Sequence, residues 1–134
     1  MSGPAAAVSG GALTTGEFFA GVRDGRLTVE RCTACGALAV PPKLVCPGCE
    51  GQRFTQATLE GAGEVASYTV IRVPPSRLAP EAPYVVVVVR MAEGVSLLGR
   101  LTGVPVDAAR VGLPVRFTAP PADADPPVIL FRPR

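Results

Sequence analysis

Two cysteine pairs with C-x-x-C spacing constrain this chain more than any other feature of its sequence. Cys32 and Cys35 form the first pair, Cys46 and Cys49 form the second, and together they are all the cysteines present. Two such pairs joined by a short spacer can place four thiolate sulfurs at the corners of a tetrahedron, about 2.3 Å from one ion. The spacing therefore predicts a structural zinc site in a ribbon-like module at residues 26–55.

The cysteine pattern leaves two alternatives to zinc. Iron, bound as in rubredoxin, fits the same four sulfurs. Two disulfides would also use four cysteines, but they need an oxidising compartment, and nothing in the sequence argues for export. Gly36 follows the first pair, where a tight metal knuckle usually needs a residue in the left-handed conformation, and this turn chemistry favours the metal.

Composition points to a mainly β chain with many turns. Of its 134 residues, 15 are glycine and 15 are proline, and 48% are hydrophobic, which argues against disorder throughout. A net charge of +2 does not by itself indicate a polyanionic partner. Residues 1–13 lack the pattern of a secretory signal and predict a disordered tail. The longest apolar run, 84–89, is far below the ~18 residues that a membrane helix needs, so we expect a cytoplasmic protein without a membrane anchor.

A short helix is expected over residues 14–25. Thr14 and the glutamate three residues later fit the capping box that opens many helices. Phe18, Phe19 and Val22 lie on one side at helical spacing. One interpretation is that they pack against the ribbon or the barrel, and the other is that they dock on a partner protein.

The rest of the chain, residues 56–134, reads as a small β barrel. Five short strands with one helical turn between the third and the fourth are typical of an OB-fold. The strands are predicted at 64–73, 84–90, 96–101, 115–119 and 128–131.

Four details of this barrel can also be predicted. The strand at 84–90 has no polar face and should be central and buried on both sides. Gly99 should mark a β-bulge. The four prolines of the loop at 74–83 should keep that loop extended. Asp107 should cap the helical turn that precedes the fourth strand.

The chain lacks the residues of common catalytic sites. It contains no histidine, which removes the usual general base and every Ser-His or Cys-His nucleophile. A site with four sulfur ligands has no open position for a substrate, and Lys43 is the only lysine. We therefore expect no catalytic residue. Two functions remain: an accessory subunit that binds an enzyme, or a module for single-stranded nucleic acid, for which only Tyr68 and Tyr84 offer stacking rings.

An ordered set of motifs resembles the DUF35 family from about residue 14 to the end. The set comprises Gly25-Arg26-Leu27, Arg31-Cys32-x-x-Cys35-Gly36, Pro41-Pro42, Cys46-Pro47-x-Cys49, Ser67-Tyr68-Thr69-Val70, Pro83-Tyr84-Val85-Val86, Val111-Gly112-x-Pro114-Val115 and Phe131-Arg132-Pro133. The resemblance implies a zinc ribbon followed by an OB-fold. It also implies a small, non-catalytic partner of a thiolase-like enzyme of the ketosynthase, acyltransferase or aldolase type, which helps to hold an acyl-CoA substrate.

The resemblance also suggests roles for two groups of residues and draws attention to one unusual position. Phe18, Phe19 and Val22 become candidates for the contact with the enzyme. Arg72 and Arg77 are either ligand-facing residues for CoA phosphates or solvated arginines. Family members usually have glycine after the fourth cysteine, whereas this chain has Glu50. Either Glu50 adopts the left-handed conformation at a cost of about 1 kcal/mol, or the second knuckle is slightly opened.

Overall fold

The computed structural model describes residue 13 and residues 15–40, 45–46, 48–121, 123–124 and 127–134. The chain forms two compact units, which divide between Glu60 and Gly61. Together they confirm the predicted mainly β architecture, with an N-terminal helix, a ribbon and a five-stranded barrel. None of the helices in the described ranges is long and apolar enough to cross a membrane.

The first unit consists of one helix and a three-stranded antiparallel sheet. Helix α1 (Thr15–Arg23) is followed by strands β1 (Leu27–Cys32), β2 (Leu38–Ala39) and β3 (Phe54–Leu59). The central strand, β1, pairs with both of the others. Since β3 pairs with β1 along its whole length, the unit continues beyond residue 55, where the sequence placed the end of the ribbon.

The start of the first unit differs from the prediction at Leu13. This residue was assigned to the tail, but it is buried, and its backbone N–H donates to the carboxylate of Glu30 at 3.3 Å. Glu30 is itself buried in β1. The predicted cap Thr14 and the rest of the predicted tail, residues 1–12, lie outside the described residues.

The second unit contains five strands: β4 (Ala62–Ile71), β5 (Tyr84–Met91), β6 (Ser96–Leu101), β7 (Pro114–Thr118) and β8 (Leu130–Pro133). They form a closed barrel in the order β4-β5-β6-β8-β7. Strand β6 runs parallel to β8, and all other neighbours are antiparallel, as expected for an OB-fold. The core is made by alternate residues of each strand, including Val65, Val87, Val115 and Phe131.

The bulge of the barrel lies on β4 and not at Gly99. The register between β4 and β5 shifts between Val65 and Ser67, so Ala66 is the extra residue. Gly99 pairs regularly with Val87, but a Cβ atom there would lie 2.5 Å from the carbonyl oxygen of Ile129. Glycine is therefore needed because another segment approaches closely, which the local sequence cannot reveal.

Two loop predictions also require correction. The proline-rich loop is not fully extended, because Ser76–Glu81 forms a 3-10 helix. Glu81 pairs with Arg100, whose guanidinium lies 4.1 Å above the centre of the Tyr84 ring. The later 3-10 helix, Val106–Ala108, begins after Pro105, so Asp107 lies within its first turn and does not cap it.

Strand β5 is central but is not buried on both faces. Val85, Val87 and Val89 point into the barrel and are at most 2% exposed, whereas Val86 and Val88 are half-buried on the outside. The reason is that a single closed barrel has one core, which takes only alternate residues of each strand.

Candidate metal centre

The four cysteines converge on one point in the first unit. All four sulfur atoms lie within 4.8 Å of one another. The Cys32 and Cys49 sulfurs are 3.6 Å apart, and so are those of Cys35 and Cys46. A zinc ion with ligands at about 2.3 Å requires sulfur separations of about 3.8 Å, so the arrangement fits a tetrahedral ion. The separations are far longer than a disulfide bond of about 2 Å.

Each cysteine pair is folded by the same two backbone hydrogen bonds. The Gly36 N–H donates to the Cys32 carbonyl at 2.9 Å, and the Glu50 N–H donates to the Cys46 carbonyl at 2.9 Å. In the reverse direction, the Cys32 N–H donates to Ala37 and the Cys46 N–H to Gly51, both at 2.8 Å. The two knuckles are thus local copies of each other, although they are far apart in sequence.

Glu50 is left-handed, as one of the two sequence alternatives required. Its φ is 65°, and it is the only non-glycine residue with positive φ among the described residues. The equivalent residue of the first knuckle, Gly36, has a φ of 79°. Because the Glu50 N–H makes the same hydrogen bond as that of Gly36, the second knuckle is closed and not opened.

A small apolar cluster covers one side of the sulfurs. Cys32 and Cys46 are each 1% exposed and pack with Ala39 and Phe54, while Ala37 packs against the cluster from outside. This arrangement places Phe54 against the cysteines. The second cysteine of each pair is exposed, so the centre lies at the surface of the unit.

The backbone prepares one of the four thiols for metal binding. The amides of Cys35 and Ala34 hydrogen-bond to the Cys32 sulfur and lower the pKa of this thiol to about 7. The Gly51 amide acts in the same direction on Cys49, but the neighbouring sulfurs of Cys32 and Cys35 outweigh it and raise the pKa of Cys49 to about 12. Metal binding must therefore displace protons from the cage. When bound, zinc supplies a cross-link between the two knuckles and has no open coordination position.

The other predicted site residues do not join this centre. Phe18 and Val22 are 1% and 0% exposed, so the structure supports their packing inside the chain and corrects their assignment to a partner contact. Phe19 is half-buried, with its ring centre 5.1 Å from that of Phe18. Arg72 and Arg77 are both exposed, and neither has an ion pair within the described residues.

Sequence reasoning missed an apolar patch on the outside of the barrel. We define the outer patch as Val86, Val88 and Leu98, three residues of β5 and β6 that share the outer face. Leu98 is 65% exposed and lies directly opposite Val88. The signal was present in β5, which is apolar at every position from 84 to 89, but the prediction ascribed its second apolar face to burial within the chain.

Comparison with known proteins gives two family models that match adjacent parts of the chain. The rubredoxin-like zinc ribbon domain of ChsH2 matches residues 19–55, and the C-terminal OB-fold domain of ChsH2 matches residues 56–119. The zinc ribbon match covers all four cysteines, which are positioned to bind a metal ion.

Individual relatives have two kinds of name. A "DUF35 domain-containing scaffold protein" from Methanocaldococcus jannaschii is 30% identical over 75% of this chain and 74% of its own length. A "probable enoyl-CoA hydratase alpha subunit" from Thermomonospora curvata is 36% identical over 87% of this chain, which spans only 36% of that protein.

Among solved structures, the chain is similar to one described as an Ltp2-ChsH2(DUF35) aldolase. The TM-score is 0.78 and the sequence identity is 34%, and the match covers 89% of this chain and 93% of that one. The fold, the four-cysteine centre and these relatives agree, and the chain belongs to the DUF35 family of zinc-ribbon OB-fold proteins.

Proposed function

We propose that this chain is a non-catalytic, cytoplasmic accessory subunit that binds a thiolase-like enzyme. The chemistry of the chain supports this role. Its four thiols are gathered in one centre, and the sequence has no histidine. Within the described residues, no other group of three or more cysteines, aspartates or glutamates is close enough to hold a metal ion. The enzyme must therefore bring the reactive groups.

The observation that carries the proposal is the outer patch. The barrel closes and fills its core without Val86, Val88 and Leu98, yet these side chains form an apolar surface on β5 and β6. Two β-branched residues and a largely exposed leucine on adjacent strands are costly to leave in water and are typical of a protein contact.

The names of the relatives support an enzyme as the partner. One relative is described as a scaffold protein, one as a subunit of a hydratase, and one solved structure as an aldolase that contains a DUF35 component. The thiolase-like class of the enzyme follows from the family resemblance. Phe19, which keeps part of its ring exposed, is a second candidate contact.

A nucleic-acid function has less support. Binding of single strands requires aromatic rings on which bases can stack. The Tyr84 ring is covered by the Arg100 guanidinium, which leaves Tyr68, 43% exposed, as the remaining tyrosine. The near-neutral charge of the chain gives no basic groove to guide a phosphate backbone.

The contact with acyl-CoA is a finer part of the proposal. Arg72 and Arg77 flank the start of the proline-rich loop and are exposed, so their guanidinium groups are available for phosphates. If they bind CoA, Arg77→Ala should raise the KM of the assembled enzyme for its CoA substrate without loss of the complex. An unchanged KM in both single alanine variants would exclude this contact.

The proposal is tested by purifying the tagged chain from its native host. We expect a thiolase-like enzyme in stoichiometric amount, and we expect Leu98→Asp to reduce its recovery because the charge would be buried in the contact. Leu98→Met, which keeps the patch apolar, should retain the enzyme. Recovery of the wild-type chain without such an enzyme, or thioester turnover by the chain alone, would contradict the proposal.

A further inference from the structure

We infer that β4 offers a free strand edge, residues 67–71, to which an extended segment of the partner enzyme adds as a further strand. This inference rests on the proposed function, since it names how the enzyme is held. The edge and its direction follow from the backbone hydrogen bonds of the barrel.

The edge exists because β4 has two neighbours along its first part and one along its second part. Strand β7 pairs with β4 only from Ala62 to Glu64. At Val65 the loop before β7 takes over, with the Val65 N–H donating to Leu113 at 2.9 Å and the Gly112 N–H donating to Val65 at 2.7 Å. After the bulge, β4 continues to Ile71 with β5 as its only strand neighbour within the described part of the chain.

The direction of the free groups can be read from the next strand. The Met91 N–H donates to Val95, on the β6 side, and the Ala92 N–H donates to Ala62, on the β4 side. Backbone groups of successive strand residues point to opposite sides. The even-numbered residues of β5 therefore face β4, and Val86 and Val88 belong to this set.

The register then assigns each residue of the second half of β4. Ser67 lies opposite Val88, Thr69 opposite Val86, and Ile71 opposite Tyr84, so these three residues bond to β5. Tyr68 and Val70 alternate with them and direct their N–H and C=O groups away from β5. Among the described residues, none forms a hydrogen bond with the backbone N–H or C=O group of Tyr68 or of Val70.

The edge lacks the usual protection against pairing. Residues 66–69 are all exposed, although strand residues on opposite faces rarely are, and no lysine, arginine, acid or proline occurs from 67 to 71. Natural edges are normally blunted by such residues. The register shift at Val65–Ser67 precedes the unpaired residues, and charged or proline residues resume only at Arg72 and Pro74.

The chemistry of the edge selects a peptide strand as its occupant. Two N–H donors and two C=O acceptors at strand spacing match the backbone of an extended segment. The charged side chains that follow the edge, Arg72 and Arg77, are basic and exposed, so an acidic segment is favoured over a second copy, which would present the same arginines. Addition on this side also brings the occupant beside Thr69 and Ile71, on the face that continues into the outer patch.

Proline variants test the edge with little effect on the barrel. Val70→Pro and Tyr68→Pro each remove one outward N–H while leaving the hydrogen bonds to β5 in place. Val70→Ala is the matched control, because it shortens the side chain but keeps the N–H. With the purified enzyme that accompanies the wild-type chain, we expect each proline variant to raise Kd about tenfold or more and the alanine variant to raise it less than about threefold.

Hydrogen exchange provides a readout that does not depend on mutation. In the free wild-type chain the amides of Tyr68 and Val70 should exchange much faster than those of Thr69 and Ile71, and binding of the enzyme should slow them. Unprotected Tyr68 and Val70 amides in an intact complex would overturn the edge pairing, and so would equal affinity of the proline and alanine variants.

The remaining outcomes separate the edge from the proposed function. Failure of the wild-type chain to bind the enzyme would contradict the function itself. If the chain alone forms a dimer with the Tyr68 and Val70 amides protected, the edge pairs with a second copy and the enzyme is not its occupant.

Discussion

At the scale of single residues, Glu50 shows how one side chain acts on the metal centre through the backbone. Its knuckle has the same hydrogen bonds as the knuckle that ends in Gly36, but glutamate in the left-handed region brings its Cβ close to backbone atoms. Gly36 carries no such cost. The two knuckles therefore differ in stability for a local reason, although the geometry at the sulfurs is shared.

Exchange of the two residues should reveal this strain. Glu50→Gly should raise the free energy of unfolding of the metal-loaded first unit by about 0.5–1 kcal/mol, since relief of strain exceeds the added entropy of the unfolded chain. Gly36→Glu should lower it by a similar amount, and a Cβ at that position meets no atom within 4 Å. Denaturation midpoints measure both changes. Two unchanged midpoints would show that the left-handed conformation is not strained here.

At the scale of elements, a short contact between β6 and β8 closes the barrel. Within the described residues, only Arg100 with Leu130 and Leu101 with Phe131 are in register between these parallel strands. Gly99 lies just before this contact and lets the Ile129 carbonyl approach β6. Closure therefore depends on the absence of a side chain at one position.

Gly99→Ala should destabilise the barrel by roughly 1–3 kcal/mol, the usual cost of an added methyl group in a packed site. The Cβ would lie 2.5 Å from the Ile129 carbonyl oxygen and 2.8 Å from the Phe131 ring, so β8 would have to move. The urea midpoint measures the loss. Ser96→Ala, at the exposed start of the same strand, should change it little, and equal midpoints for both variants would contradict the close approach.

At the scale of the whole molecule, the region around the cysteines and the barrel obtain their stability from different sources. Within the described residues, the cluster beneath the metal centre contains two of the metal ligands and two other buried residues, Ala39 and Phe54, while Phe18 and Val22 are buried in the first unit outside this cluster. The barrel has a larger apolar core made by all five of its strands. We therefore expect the metal to be essential for the ribbon and dispensable for the barrel.

Removal of the metal should unfold the region around the cysteines and leave the barrel folded. A strong chelator should abolish amide protection around the cysteines while the amides of β5 and β6 remain protected, as measured by hydrogen exchange. Replacement of Cys32 by serine should have the same effect without a chelator. Loss of protection in both units, or in neither, would contradict this division.

Acidification should also remove the metal, because protons compete with it for the thiolate sulfurs. In the folded ribbon the lowered pKa of Cys32 favours its thiolate, and this advantage is lost as the pH falls through about 7. The raised pKa of Cys49 acts in the opposite direction and disfavours its thiolate until the pH rises towards about 12. Metal affinity should therefore decrease steadily as the pH falls, and a pH-independent affinity would exclude thiolate ligation.

The sequence alone determined the four cysteines of the metal centre and the order of the five barrel strands along the chain, and it narrowed the backbone at Glu50 to two alternatives. These features depend on residues that are neighbours in the chain, and the turn and ligand chemistry of neighbours is readable without a fold. The burial of Phe18 and Val22, the role of Gly99, the site of the bulge, the outer patch and the free edge of β4 were decided by the tertiary structure. Each depends on which distant segment lies beside a residue. The periodicity of side chains along the sequence does not indicate which segment that is.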